Sequence, residues 1–216
     1  MIKEEKAFLE AIAREPDEDL HRLGYADWLT ENGDPNRAEL IRIQCGLERG
    51  VDWQTDKKAT ADRLKELQGR ERELIEGMRC PKKGEPGIRE FGTTPEIAAI
   101  AADPDRIIFR RGMIDYLSLA FTRIAKLPPG LFVGGTLTLS SARITELPPD
   151  LYVGGNLYLI DTPITSDAAR RILTMPNLSR EAKLTGLEST GRFPALAEQA
   201  HRLPETNAGP GTPPWP

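Results

Sequence analysis

LPPGLFVGGTLTL, from Leu127 to Leu139, returns twenty residues later as LPPDLYVGGNLYL, from Leu147 to Leu159. A unit of this length cannot bury an apolar face by itself, so successive copies must stack on one another. The period pairs Leu131 with Leu151, Val133 with Val153, and Gly134 and Gly135 with Gly154 and Gly155. It also pairs Leu137 and Leu139 with Leu157 and Leu159, and Ile144 with Ile164. One period upstream, Leu117, Leu119 and Ile124 mark a weaker third copy. Side chains alternate along a strand, so the leucines of TLTLS point inward and Thr136, Thr138 and Ser140 outward. The glycine pair is expected to supply the backbone freedom of a tight turn, and the LPP corner to fix φ where the coil reverses.

Written as LPxxLxVGGxLxLxxxxIT, the unit resembles the short bacterial leucine-rich-type repeat, which implies a parallel β solenoid. The outward positions are then Tyr116, Ser118 and Ala120 in the first copy, and Asn156, Tyr158 and Ile160 in the last. Tyr116, Ser118, Thr136, Thr138, Asn156 and Tyr158 form the candidate partner-binding row. The two tyrosines lead it, because tyrosine offers a large contact area at low entropic cost. The competing reading is a solvated sheet face. With about three coils and no assignable asparagine ladder, a strongly curved groove is not expected.

The N-terminal segment AFLEAIAREPDEDLHRLGYADWLTENGDPNRAELIRIQ is dense in helix boundaries. Phe8, Leu9 and Ile12 make a short amphipathic stripe that Pro16 ends. Asp17 is expected to cap a second helix with Leu20, Leu23 and Trp28 as its apolar contacts, closed by Asn32 and Gly33. Asp34 then caps a third, with Pro35 at its first position and Leu40, Ile43 or Gln44, and Leu47 on one face. The part YADWLTENGDPNRAELIRIQ resembles the repeat-companion domain, a module found at the N-terminus of bacterial repeat proteins. That resemblance implies repeats downstream rather than an activity. Tyr25, Asp27, Trp28, Asp34, Arg37 and Glu39 are its polar and aromatic centre; core anchors and interhelical ion pairs are the preferred reading over a ligand site.

Asp56 to Arg79 reads as a long charged helix, with Leu64, Leu67, Leu74, Ile75 and Met78 facing the bundle and Glu66 paired with Arg70. A proline- and glycine-rich stretch follows, then a short capping helix at PEIAAIAAD. After the last coil, Ser166 or Asp167 is expected to cap a helix through Ile172 and Leu173 that covers the open end of the stack. FPALAEQAHRL adds a further short helix. The fold class is therefore α+β: a small N-terminal helical bundle followed by a short leucine-rich-type parallel β solenoid with capping helices. Residues 1–79 form the helical unit, 80–92 a linker, 93–185 the capped repeats, and 186–216 a short helix with a Pro-rich tail expected to be disordered.

The chain is 39% hydrophobic and 29% charged, with a formal net charge of -4. That balance gives no global pull toward polyanions. No apolar run is long enough to span a bilayer, and the N-terminus lacks the apolar core of a secretory signal. Cys45 and Cys80 are too far apart for a zinc clamp or redox pair, which fits inert thiols in the cytoplasm. No metal site and no cofactor is expected. There is no phosphate loop, nucleophile elbow or metal-ligand spacing.

The expected function is a non-enzymatic protein-protein interaction module. The alternative is an accessory or regulatory subunit of a nucleic-acid-processing complex. It would use a local basic face of Arg110, Arg111, Arg123 and Arg143, although an aromatic-basic stripe is missing. A third reading, hydrolysis through Asp27 and Glu39, has no supporting spacing.

Overall fold

The computed structural model describes residues 3–49, 57–79, 103 and 105–204. Among them are seven helices and a small mixed sheet, an α+β architecture. Helices α1 (Lys3–Arg14), α2 (Asp19–Glu31), α3 (Pro35–Arg49) and α4 (Lys57–Arg79) come first. Then follow strands β1 (Ile107–Arg110), β2 (Met113–Ser118), β3 (Phe132–Val133), β4 (Thr136–Thr138), β5 (Tyr152–Val153) and β6 (Leu157–Tyr158). Helices α5 (Ser166–Thr174), α6 (Arg180–Thr190) and α7 (Pro194–His201) close the order. The expected linker 80–92, the helix expected at PEIAAIAAD up to residue 102, and the expected Pro-rich tail from 205 lie outside the described residues.

The 20-residue period is the register of the sheet. β1 and β2 form an antiparallel hairpin, and β4 and β6 add to β2 in parallel, in the order β1-β2-β4-β6. Leu117 pairs with Leu137 and Leu137 with Leu157, one period per strand. A second parallel ladder joins β3 to β5, with Phe132 opposite Tyr152. Leu117, Leu137 and Leu157, then Leu119, Leu139 and Leu159, are buried as continuous columns. Each copy also turns at a left-handed residue, Phe121 (φ 60°), Ser141 (φ 56°) and Asp161 (φ 52°), again twenty apart.

The glycine pairs serve a different purpose from the one their sequence suggests. Neither pair has a left-handed φ. What requires glycine is contact with the preceding copy: a Cβ on Gly135 would lie 2.4 Å from the Asp115 carbonyl oxygen, and one on Gly154 2.3 Å from that of Gly134. The first copy has Ile114 and Asp115 at these places, which explains why it is faint in the sequence. Gly134 itself is roomier, its nearest neighbour 3.7 Å from an added Cβ. Gly154→Ala should therefore cost about 1–3 kcal/mol, the usual penalty of overpacking, and Gly134→Ala well under about 1. Thermal unfolding of the two variants checks this; equal losses would mean that the copies do not approach at this spacing.

The open edge of the sheet is covered by α6, not by α5 as expected. The Leu157 N–H donates to Thr185 Oγ1 (2.9 Å) and the Leu159 N–H to Ser189 Oγ (2.8 Å). Two hydroxyls one helical turn apart thus satisfy the edge donors of β6 that would otherwise invite another strand. Gly186 between them admits the Leu157 side chain, 3.1 Å from where a Cβ would sit. The small α5 buries Ala168, Ala169 and Ile172 in the core and is capped by Thr165, whose hydroxyl accepts from the Ala168 N–H (3.1 Å), rather than by Ser166 or Asp167. α6 runs to Thr190, across the expected boundary at residue 185.

The helical unit departs from expectation in details. Glu18, not Asp17, caps α2 by accepting from the Leu20 N–H, and Leu20 is 70% exposed. Arg70 does not pair with Glu66 but makes two 2.8 Å bonds to Glu39, while Glu66 takes Arg63. Asp34 caps α3 as expected, accepting from the Arg37 N–H (3.2 Å). Leu40 and Ile43 of α3 and Leu74 and Met78 of α4 enter the same buried cluster as Ile107, Phe109 and the strand leucines. The helices and the sheet therefore share one core.

Candidate functional site

The candidate site residues fall on two surfaces of this architecture: the seam where the helices grip the first hairpin, and the outward face of the sheet. The seam is built on α3 residues Arg37, Ile41, Gln44 and Glu48, whose 4-3-4 spacing puts them on one helix face. They meet the four residues Phe109 to Gly112 in the β1–β2 turn. The Arg37 guanidinium lies over the Phe109 ring, 4.8 Å from its centroid. Gly112 (φ 72°) abuts Ile41 so closely that a Cβ would sit 2.0 Å from Ile41 Cγ1. The Gln44 amide acts as a strand would: its oxygen accepts from the Gly112 N–H (2.5 Å) and its nitrogen donates to the Phe109 carbonyl (3.1 Å). Glu48 accepts from Arg110 Nε (2.8 Å) and Arg111 Nε (2.5 Å).

This seam changes the reading of the basic residues. Arg110 and Arg111 are committed to Glu48, and Arg111 also donates to the Pro16 carbonyl (3.1 Å) and lies near Asp17 and Asp19. Although burial opposes it, the two guanidiniums hold the Glu48 carboxyl below its ordinary pKa, so the pair charges persist at neutral pH. Arg123 and Arg143 are exposed. Two of the four residues of the expected basic face are thus engaged in holding the hairpin, sharing one carboxylate.

The aromatic centre of the N-terminal motif is a packed core. Tyr25 and Trp28 are buried and stacked, with ring centroids 5.9 Å apart. The Tyr25 hydroxyl donates to Glu5 (3.1 Å) and the Trp28 Nε1–H to Glu4 (3.2 Å), both on α1. Asp27 pairs with Arg42 (2.8 Å), and Arg70 holds the Glu39 carboxyl below its usual range through its two bonds. Each of these carboxylates is given to an arginine, which is the interhelical reading rather than an acid/base pair. Cys45 is fully buried, and burial together with the Asp19 charge pushes its thiol up to about 12, so it stays a protonated, unreactive group at neutral pH.

The outward face is laid out by the strand register. Ile108, Tyr116 and Thr136 form one row, with Asn156 one period on; Ser118, Thr138 and Tyr158 form the next. Tyr116, Thr136, Thr138, Asn156 and Tyr158 are half-buried, while Ser118 is buried. Three large apolar side chains stand out in or beside these rows: Ile108 (51% exposed), Ile160 (48%) and Phe121 (80%). Phe121 occupies the left-handed turn position held by Ser141 and Asp161 in the other copies, where a bulky side chain is strained.

No family model, no curated protein and no solved structure matched this chain.

Among the described residues no helix is long and apolar enough to cross a membrane, and no three His, Cys, Asp or Glu side chains are grouped so as to hold a metal ion. Sequence reasoning missed Glu48, Thr185 and Ser189, and placed Gln44 only as an alternative to Ile43 on the apolar face of α3, not as a partner of the hairpin. Polar residues at helical spacing beside apolar ones were the available signal.

Proposed function

We propose that this protein is a non-enzymatic interaction module of the cytoplasm: a repeat-companion helical unit joined to a short leucine-rich-type solenoid that presents its outward strand face to another protein. The observation that carries the reading is the exposure of Ile108, Phe121 and Ile160 in and around the rows that also hold Tyr116 and Tyr158. Exposed apolar side chains in or beside such rows favour contact with a protein surface. Phe121 adds weight, since a strained backbone retained for an exposed ring is more readily explained by a task than by stability.

The test pairs stability with capture. Tyr158→Ala should shift the folding stability by under about 1 kcal/mol, as half-exposed positions usually do. It should weaken a partner crosslinked to and captured with the wild-type protein by about 30-fold or more, the loss of a hot-spot residue. Capture unchanged by Tyr158→Ala combined with Phe121→Ser would remove the face from consideration. A large loss of stability would instead mean that Tyr158 packs inward.

A further inference from the structure

Between α1, α2, the β1–β2 turn and the β3–β5 ladder lies a cavity of about 190 Å³. That is more than roughly ten times the space one water needs. Its walls divide by chemistry. Ile12, Ala13, Met113, Phe132 and Tyr152 make an apolar side, with the Phe132 and Tyr152 rings stacked at 4.2 Å and nearly parallel. Arg22, Arg110 and Arg111 make a cationic one.

Arg22 is the unusual member. It is only 7% exposed, and among the described residues its Nε has no hydrogen-bond partner and its one bond is a long 3.4 Å contact from Nη1 to the Glu18 carbonyl. Among the described residues no carboxylate comes within ion-pair distance of it. A buried guanidinium without a paired anion costs far more than one that is paired. Burial and the like charge of Arg111 both push the Arg22 pKa down, and the more distant Asp19 and Glu48 offset this incompletely. Asp17 and Asp115 also line the space, but the Asp17 side chain is fully solvent-exposed and Arg110 and Arg111 already have Glu48 as partner. Burial pushes the Tyr152 phenol up to about 12, leaving it a neutral hydroxyl beside this charge.

We propose that the cavity binds a small amphipathic oxyanion, its carboxylate or phosphate head on Arg22 and Arg111 and its compact apolar body against Phe132 and Tyr152. A mostly apolar pocket with a few converging polar groups is the usual form of a small-ligand site. Bidentate recognition of a carboxylate or phosphate is what a guanidinium does best. The site is separate from the strand face and stands or falls independently of it.

Thermal unfolding of the full chain tests this with three probes at matched ionic strength: benzoate, phenyl phosphate, and benzyl alcohol as the body without the charge. Wild-type protein should gain melting temperature saturably with at least one of the two anions and not with the alcohol, and the better anion identifies the head group. Arg22→Gln should weaken half-saturation at least tenfold. Ala13→Leu, which fills the apolar side without altering charge, should do the same and decides the matter if Arg22→Gln does not fold. No saturable rise beyond that in sodium chloride, or either variant binding like wild type, would overturn the proposal.

Discussion

Leu137→Asp should leave the protein unfolded at room temperature. Leu137 is fully buried and pairs on both sides, with Leu117 and Leu157, so its side chain is the middle of a column that spans three strands. Removing a core leucine costs about 2–5 kcal/mol before any charge is considered. A carboxylate without a partner in an apolar layer adds several more, even after its pKa rises to neutralise it. Against a typical total stability of about 5–15 kcal/mol, that sum leaves little or nothing. The neighbouring substitution Thr138→Asp is the control, because Thr138 points to the opposite side of the strand and is half-exposed. It should shift the melting temperature by only a few degrees. Circular dichroism and urea titration of the two variants separate the cases; similar stability for both would mean that inward and outward sides have been exchanged.

That alternation was legible in the sequence because two periods coincide. A side-chain period of 2 within the strand and a copy period of 20 both place Leu137 and Leu139 inside, and nothing else in the fold opposes them. Tyr25 and Trp28 were readable as packing residues on α2 for a different reason, since aromatic side chains three apart on a helix usually pack. The seam was not legible in this way. Arg37, Ile41, Gln44 and Glu48 share a helix face, but only one of the four is apolar, so hydrophobic periodicity does not join Arg37 and Gln44, each named on other grounds, to Ile41 and Glu48. Gln44 is useful there because an amide can stand in for a peptide unit, a role that exists only once the hairpin is beside it. Thr185 and Ser189 were hidden for a related reason: a hydroxyl on a polar helix looks solvated until an edge strand presents its N–H groups. The glycine pairs show the converse, a motif correctly found and wrongly explained. Glycine can serve a turn or a close approach, and which one applies depends on what the preceding copy places beneath it. Arg22 gives no sign in the sequence at all, since its isolation comes from three elements closing around it.

The second large effect belongs to the seam, and a single methyl group should produce it. Gly112→Ala places a Cβ 2.0 Å from Ile41 Cγ1 and 2.8 Å from Ile41 Cα. The side-chain atom could rotate away, but the Cα belongs to α3 and cannot move without the helix. The position also has φ 72°, which costs an alanine roughly 1–2 kcal/mol by itself. If the hairpin lifts to relieve the clash, the Gln44 amide loses its bond from Gly112 and its bond to Phe109; its nitrogen keeps Glu71 (2.6 Å), but its buried oxygen is left unsatisfied at a cost of about 1–3 kcal/mol. The expected total is about 3–5 kcal/mol, combining strain and overpacking. Gly33→Ala isolates the backbone component: Gly33 has φ 86° but nothing within 4 Å of an added Cβ, so its loss should stay near about 1–2 kcal/mol. The difference between the two variants in urea midpoint measures how firmly α3 holds the hairpin. Equal losses would mean that the turn is not seated on Ile41, and the helical unit would then no longer serve as the grip on the first strand pair.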